Sequence, residues 1–78
     1  MATSYYRMNS LLAAEAVMRR LESEPGFYPS RCLGYAYRKI VRIDHADGAD
    51  PGPFVREIDP GARIVPKPTD RVAAAAVH

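Results

Sequence analysis

The sequence predicts an α+β fold in which one main helix near the N-terminus packs on a small, mostly antiparallel sheet of three to four strands. Three observations support this class. Residues 9–24 are rich in strong helix formers, residues 34–44 alternate β-branched and aromatic residues with polar ones, and shorter strand-like segments follow at 54–58 and 62–65. The 78 residues allow one small domain, 1–78, with a thin core.

The predicted helix is amphipathic and has recognisable ends. The side chain of Asn9 or Ser10 can cap its start by accepting from an otherwise unpaired amide. Pro25 disfavours helical geometry at the preceding residue and Gly26 releases the chain, so the helix is expected to end there. The apolar stripe consists of Leu11, Ala14, Val17, Met18 and Leu21.

The longest predicted strand, 34–44, follows a predicted turn at 25–30. The two shorter strands, 54–58 and 62–65, are predicted to form a hairpin joined by the tight connection 59–61. On 34–44, the face expected to pack on the helix carries Tyr35, Tyr37, Val41 and Ile43. The opposite face carries Ala36, Arg38, Ile40 and Arg42.

The two ends of the chain, residues 1–8 and 69–78, are predicted to be tails that are flexible or become ordered on a partner. Prolines on both sides of Lys67 predict an extended segment, 66–68, at a sheet edge. The alanine-rich stretch 71–78 favours a short C-terminal helix, although its length makes such a helix marginal in isolation.

The composition excludes several classes of protein. The net charge is only +2, so self-repulsion does not oppose folding. Cys32 is the single cysteine, which excludes an internal disulfide and favours a reducing compartment. The sequence shows no signal-peptide pattern and no run of about 18 apolar residues. A cytoplasmic protein without membrane contact is therefore expected.

The stretch DHADGADPG, residues 44–52, places three aspartates and His45 among glycines and a proline. A calcium loop of the helix–loop–helix kind closes on a glutamate at its twelfth position, where this chain has Val55. A transition-metal site needs further His or Cys, which the chain offers only at Cys32 and His78. Because turns also require Asp and Gly, the stretch is predicted to be a connecting loop, and no metal or other cofactor is expected.

Catalytic chemistry is sparse in this sequence. Cys32 and His45 are the only candidate pairing of a nucleophile with a base. A buried or incidental thiol is the commoner role of a free cysteine. The five glycines are scattered and form no phosphate-binding loop motif. The sequence therefore predicts a protein that is not an enzyme.

Residues 33–40, LGYAYRKI, resemble part of the aromatic strand of RNA-recognition domains. The match covers Gly-Tyr-Ala-Tyr at 34–37. Leu33 stands at the basic position of that pattern, Arg38 at the aliphatic one and Ile40 at the last aromatic one, so the four matching residues do not assign the family. Tyrosines beside basic residues are nevertheless suited to single-stranded nucleic acid, although alternation along a strand would put the tyrosines opposite Arg38.

The main functional hypothesis is non-enzymatic binding to a larger protein or ribonucleoprotein complex, as an inhibitor or accessory subunit. Such a complex can be one that handles nucleic acid, as for a phage-type, anti-CRISPR-like inhibitor. Tyrosine and arginine are enriched at the energetic centres of protein interfaces. The two alternatives are direct binding of single-stranded nucleic acid, and a structural protein that self-associates as a homodimer through an exposed sheet edge. The candidate partner-binding residues are Tyr5, Tyr6, Tyr28, Tyr35, Tyr37, Arg38, Lys39 and Arg42.

Overall fold

A computed structural model describes residues 1–68. Its four strands form one antiparallel sheet in the order β2-β3-β1-β4. The predicted α+β class, with a main helix on an antiparallel sheet, is confirmed, whereas the expected C-terminal helix and the tail 69–78 lie outside the described residues. The elements are β1 (Ala2–Arg7), α1 (Leu11–Glu22), β2 (Phe27–Arg31), a short 3-10 turn (Tyr35–Tyr37), β3 (Ile40–His45), α2 (Gly52–Ile58) and β4 (Arg63–Val65).

The connections form two interleaved β-α-β units. α1 links β1 to β2 with β3 between them, and α2 links β3 to β4 with β1 between them. This connectivity is the ferredoxin-like, split β-α-β arrangement. Crossovers between parallel strands are almost always right-handed, which places both helices on the same face of the sheet.

The core lies between that face and the two helices. Phe27 and Phe54 pack edge to face at its margin, with ring centroids 5.3 Å apart, and the guanidinium of Arg20 lies 4.7 Å from the Phe54 ring centroid. These contacts join α1, α2 and the edge strand β2. The buried cluster consists of Tyr6, Met8, Ala14, Val17, Leu21, Val41, Ile43, Val55 and Ala62.

Helix α1 agrees with its prediction in position, face and ends. The Ser10 hydroxyl accepts from the backbone N–H of Ala13 at 3.1 Å and so caps the first turn. The chain leaves the helix through Gly26, whose φ of +89° is a conformation that favours glycine. Of the predicted stripe, Ala14, Val17 and Leu21 are fully buried.

The strand predicted at 34–44 is shorter than expected. Gly34 has φ +99° and begins the 3-10 turn, so the strand starts only at Ile40. Val41 and Ile43 are buried on the helix side as predicted. The assignment of Tyr35 and Tyr37 to that face was wrong, because both belong to the turn and Tyr35 is 79% exposed.

The hairpin predicted at 54–65 was also wrong in its first half. Residues 54–58 belong to α2, since Val55 is fully buried and Phe54 and Ile58 pack beside it. Apolar residues at positions i, i+1 and i+4 suit one face of a helix, whereas five residues are too few to distinguish this period from strand alternation. The second half, 63–65, is a strand, but it pairs with β1.

The N-terminal segment and the segment after α1 were assigned to irregular structure and are strands. Residues 2–7, expected to be a flexible or partner-ordered tail, form β1 in the interior of the sheet, where both neighbours satisfy its backbone groups. Residues 27–31, expected within a turn, form the edge strand β2. Pro29 is tolerated there because an edge strand has one unpaired side.

A buried carboxylate joins the two connections at one end of the sheet. Asp59 is 6% exposed and follows α2. Its Oδ2 accepts the backbone N–H of Asn9 at 2.7 Å, and its Oδ1 accepts the Asn9 amide at 2.9 Å and the N–H of Gly61 at 3.1 Å. Gly61 and Asn9 are packed so closely that a Cβ at Gly61 would collide with the Asn9 amide. Asp59 therefore fixes where β1 ends relative to where β4 begins.

We expect Asp59→Ala to lower the free energy of unfolding by about 2 kcal/mol, because it leaves three N–H donors without their charged acceptor. Urea denaturation followed by circular dichroism measures the change. Asp47→Ala is the matched control, since the Asp47 side chain is 82% exposed. A loss at Asp59 of less than about 0.5 kcal/mol, the size expected at an ordinary surface site, would contradict the assigned role.

Candidate functional site

The open face of the sheet is the face opposite the helices, and neither α1 nor α2 covers it. Its members follow from the strand register, because residues paired on neighbouring strands point to the same side. Three rows of side chains cross it. The first row is Tyr28, Asp44 and Thr3; the second is Ser30, Arg42, Tyr5 and Val65; the third is Ile40, Arg7 and Arg63.

The first two rows contain a compensated charge. Arg42 Nε lies 3.2 Å from Asp44 Oδ1, and the Thr3 hydroxyl donates to the same oxygen at 2.7 Å. The Thr3 hydrogen bond and, after it, the Arg42 guanidinium hold the pKa of Asp44 below its usual range. Arg42 is still 48% exposed and lies directly opposite Tyr5. It can therefore contact a partner, but part of its charge is already matched.

The third row contains uncompensated charge. Arg7 and Arg63 are exposed and face each other directly across β1 and β4. Within residues 1–68, no Asp or Glu lies within ion-pair distance of either arginine or of Lys39. Like charges directly opposite on neighbouring strands repel. The strongest positive potential of the open face is therefore expected at this row.

A shallow hollow brings Tyr37 next to the second row. It has a volume of about 370 Å³, and Tyr5, Tyr37 and Arg42 are among its lining residues. Leu33 also lines it and is 92% exposed. Tyr28, on the first row, is 58% exposed. Four predicted partner-binding residues thus lie on or beside the open face.

Three other predicted residues lie at the turn before β3. The guanidinium of Arg38 is 4.1 Å from the ring centroid of Tyr35, a cation–π geometry. The Arg31 guanidinium donates to the backbone carbonyl of Arg38, which holds the turn against β2. Arg38 and Lys39 line one depression together with Arg7, so the turn continues the positive surface beyond the third row.

Tyr6, by contrast, was predicted as a partner-binding residue and belongs to the core. It is 3% exposed and pairs with Val41 on the helix side of the sheet. Burial raises the pKa of its phenol. Because alternation sends Tyr5 and Tyr6 to opposite faces of β1, only Tyr5 can reach a partner on the open face.

The stretch 44–52 was predicted to be a connecting loop, and this holds for residues 46–51, whereas the ends of the stretch belong to β3 and α2. Asp44 belongs to β3, and Asp47 stands in an exposed turn 3.5 Å from the N-terminal amine. Asp50 Oδ1 accepts the N–H of Gly52 at 2.9 Å, where α2 begins. The three aspartates therefore have separate structural roles. Within residues 1–68, no group of three or more His, Cys, Asp or Glu side chains is placed to hold a metal ion.

The nucleophile and base considered from the sequence are not paired. Cys32 bonds through its N–H to the Ile40 carbonyl, at the other end of β3 from His45, so the two are about 16 Å apart along the strand. His45 is buried, with Nδ1 3.1 Å from the Ala46 carbonyl and Nε2 2.8 Å from the Ser4 hydroxyl. In the neutral ring, Nδ1 donates and Nε2 accepts. Burial also raises the pKa of the Cys32 thiol, which reduces its reactivity.

Arg7 and Arg63 were not among the predicted partner-binding residues, because neither lies in the long predicted strand 34–44. A signal that could have identified Arg7 is the alternation of Thr3, Tyr5 and Arg7, which are three residue types typical of the solvent side of a half-buried strand. A strand predicted from this alternation would have placed Arg7 on its solvent side. The pairing of Arg7 with Arg63 could not have been found, because it depends on the order of strands in the sheet.

Comparison with known proteins assigns no family. The chain matches no protein family model, and no curated protein or solved structure is significantly similar to it. In residues 1–68, neither helix combines the length and the apolar character required to cross a bilayer. The open face is therefore the feature of the molecule from which a function can be inferred.

We expect the Asp44 carboxyl to titrate below an ordinary aspartate, and Thr3→Val to raise its pKa, because the variant removes the hydroxyl donor. Thr3→Ser keeps the hydroxyl and is the matched control. Since the folded pKa is the lower one, this carboxylate stabilises the fold above about pH 3.9 and the contribution is lost as the pH falls through the folded pKa. Carboxyl-carbon NMR titration measures both values; equal pKa values in the two variants would contradict the assignment.

Proposed function

We propose that the protein is a small non-enzymatic binding module of the cytoplasm that docks through its open face on an acidic surface of a larger protein or ribonucleoprotein complex. It acts there as an inhibitor or accessory subunit, in the manner of an anti-CRISPR-like inhibitor of a machine that handles nucleic acid. The observation that carries the proposal is a sheet face that neither helix of residues 1–68 covers, on which arginines and tyrosines are neighbours.

The charge on this face supports an acidic partner. Its three rows contain Arg7, Arg42 and Arg63 but a single acid, Asp44. The other acids of residues 1–68 lie on the helices and their connections. A protein with a net charge of only +2 thus presents a local excess of positive charge. Such complementarity raises the association rate and rejects wrong partners more than it raises affinity.

The aromatic residues supply the surface that can be desolvated. Tyr5 and Tyr37 border a hollow beside Arg42, and Tyr28 stands on the neighbouring row. Tyrosine and arginine dominate the energetic centres of protein interfaces because they bury large surfaces and still pair their polar atoms. The open face therefore offers both a centre and a charged rim.

Self-association through a sheet edge is less well supported. The edge strand β2 carries Pro29, and the other edge strand, β4, is only three residues long. Proline and short length are both features that disfavour pairing with a further strand. A homodimer formed in this way remains the third proposal and would appear directly in light scattering.

Direct binding of single-stranded nucleic acid is a second candidate that the strand register favours. The sequence suggested that tyrosines and arginines would point to opposite sides, but Tyr5 and Arg42 are direct neighbours on the open face. An open four-stranded sheet that combines aromatic stacking with positive charge is a known way of holding single strands. The match at 34–37 does not contribute, because that segment is a turn.

We expect the double variant Arg7→Glu/Arg42→Glu to lose its partner in affinity capture from nuclease-treated host lysate. Arg19→Glu/Arg56→Glu is the matched control, because it makes the same charge change at exposed arginines on the helices. Quantitative mass spectrometry should find one complex retained by the wild type and the control. Equal retention by both double variants, with folding checked by circular dichroism, would remove the proposal.

If the partner is single-stranded nucleic acid, anisotropy with a labelled oligothymidine should show binding whose logarithmic salt dependence has a slope of about −2, as expected for three phosphate contacts. Tyr28→Ala should then weaken binding by about tenfold, since stacking on a base contributes roughly 1–3 kcal/mol. Tyr28→Phe keeps the ring and should bind like the wild type. Absence of binding at low salt rejects this candidate.

A further inference from the structure

The third row of the open face ends in a pocket lined by three cations. The pocket lies where β1 ends and where β3 and β4 begin, and its volume is about 430 Å³. Arg7, Lys39 and Arg63 line it together with Met8, Asn9, Gly61 and Val65. No acidic side chain is among these lining residues.

From this arrangement we propose that the pocket binds a phosphate group through Arg7, Lys39 and Arg63. Two arginines that face each other in register across β1 and β4 repel, and no acid within residues 1–68 compensates them. An anion placed between them removes the repulsion and forms hydrogen bonds to both. The packing of the fold does not require these three cations to lie side by side, whereas the binding of an anion does.

The number and type of the cations favour phosphate over a carboxylate. A phosphate monoester carries a charge of about −1.5 to −2 at neutral pH and has three strong acceptor oxygens. Each guanidinium can bind two of these oxygens as a planar fork, and the lysine adds a flexible point charge. A carboxylate has a single charge and two oxygens, so it balances less of the charge of the three cations and offers them fewer acceptors.

The fold holds the pocket in shape from behind. The buried Asp59 carboxylate contacts the lining residues Asn9 and Gly61 and accepts three N–H groups. Its two oxygens are therefore occupied by these donors and turned away from a ligand in the pocket. Because Asp59 fixes the end of β1 relative to the start of β4, Arg7 and Arg63 are held beside each other before any ligand arrives. Such preorganisation lowers the cost of binding.

The site shares Arg7 and Arg63 with the open face, so the inference rests in part on the proposed function. It adds the chemical group that the positive end of the face recognises. The charge and the number of oxygens favour a terminal monoester as the source of the phosphate, and the bridging diester of a nucleic-acid chain, with one charge and two free oxygens, is the alternative source. These two sources share the same chemistry at the pocket and differ in charge and in attachment.

The test is an amide NMR titration of the whole protein with inorganic phosphate, with ionic strength held constant by sodium chloride. We expect saturable shifts at Arg7, Lys39, Gly61 and Arg63, together with a rise in the denaturation midpoint that follows the same affinity. Shifts that do not saturate, or that equal those produced by chloride alone, would overturn the proposal. Parallel titrations with dithymidine that carries or lacks a 5′-phosphate identify the terminal or the bridging phosphate as the source.

The variants separate this pocket from the rest of the open face. Arg63→Gln and Lys39→Gln should each weaken phosphate binding by about tenfold, whereas the matched control Arg19→Gln should not change it. Arg63→Gln should unfold at the same or a higher urea concentration without phosphate, because it removes a repulsion. Unchanged phosphate affinity in both pocket variants would sink the site. Retained phosphate binding by a protein that captures no macromolecule would reject only the proposed function.

Discussion

The handedness of two crossovers determines what this protein can present to its surroundings. Because both β-α-β connections are expected to turn the same way, both helices cover one face of the sheet, and the buried side chains of the two central strands, Tyr6, Val41 and Ile43, serve that single core. The opposite face is then free to carry Tyr5, Arg7 and Arg42 without cost to packing. Because side chains alternate between the two faces of each strand, the charged residues gather on the face that the helices leave open.

The hydrogen bonds of Asp59 determine where the charged side chains at one end of the open face lie. Because the core is thin, apolar packing alone constrains the ends of the strands weakly, so a polar contact has to align them. By accepting from Asn9 and Gly61, the carboxylate ties the β1–α1 connection to the α2–β4 connection. This contact places Arg7 and Arg63 at the same level of the sheet. The same residue therefore stabilises the fold and shapes the positive end of the open face.

The parts of the fold that were predictable are those encoded by local, repeated signals. Helix α1 could be predicted because its apolar spacing persists over 12 residues and Ser10 marks its start. Val41 and Ile43 were placed on the correct side because they alternate with polar residues along a strand. Helix α2 could not be distinguished from a strand, because its seven residues offer too few periods and its helical state depends on packing against α1.

The candidate site was only partly predictable because it is assembled from segments that are distant in sequence. Arg42 and Tyr5 were both noticed, but their adjacency depends on the pairing of β1 with β3. Residues 34–37 were predicted to belong to a strand because of their tyrosines, but Gly34 turns the chain there and the strand is shorter. Tyr6 looked equivalent to Tyr5 by residue type and differs from it only in which side of β1 it occupies.

The facing arginines show how a small protein can maintain a cationic site at modest cost. Near the surface the effective dielectric is high, so the repulsion between Arg7 and Arg63 is expected to cost a fraction of about 1 kcal/mol in the free protein. In the proposed site, an anion would interact with both arginines and with Lys39 at once, since all three line the pocket. The attraction in the complex then exceeds the repulsion in the free state. This asymmetry lets a domain with a thin core keep an uncompensated positive cluster and still fold.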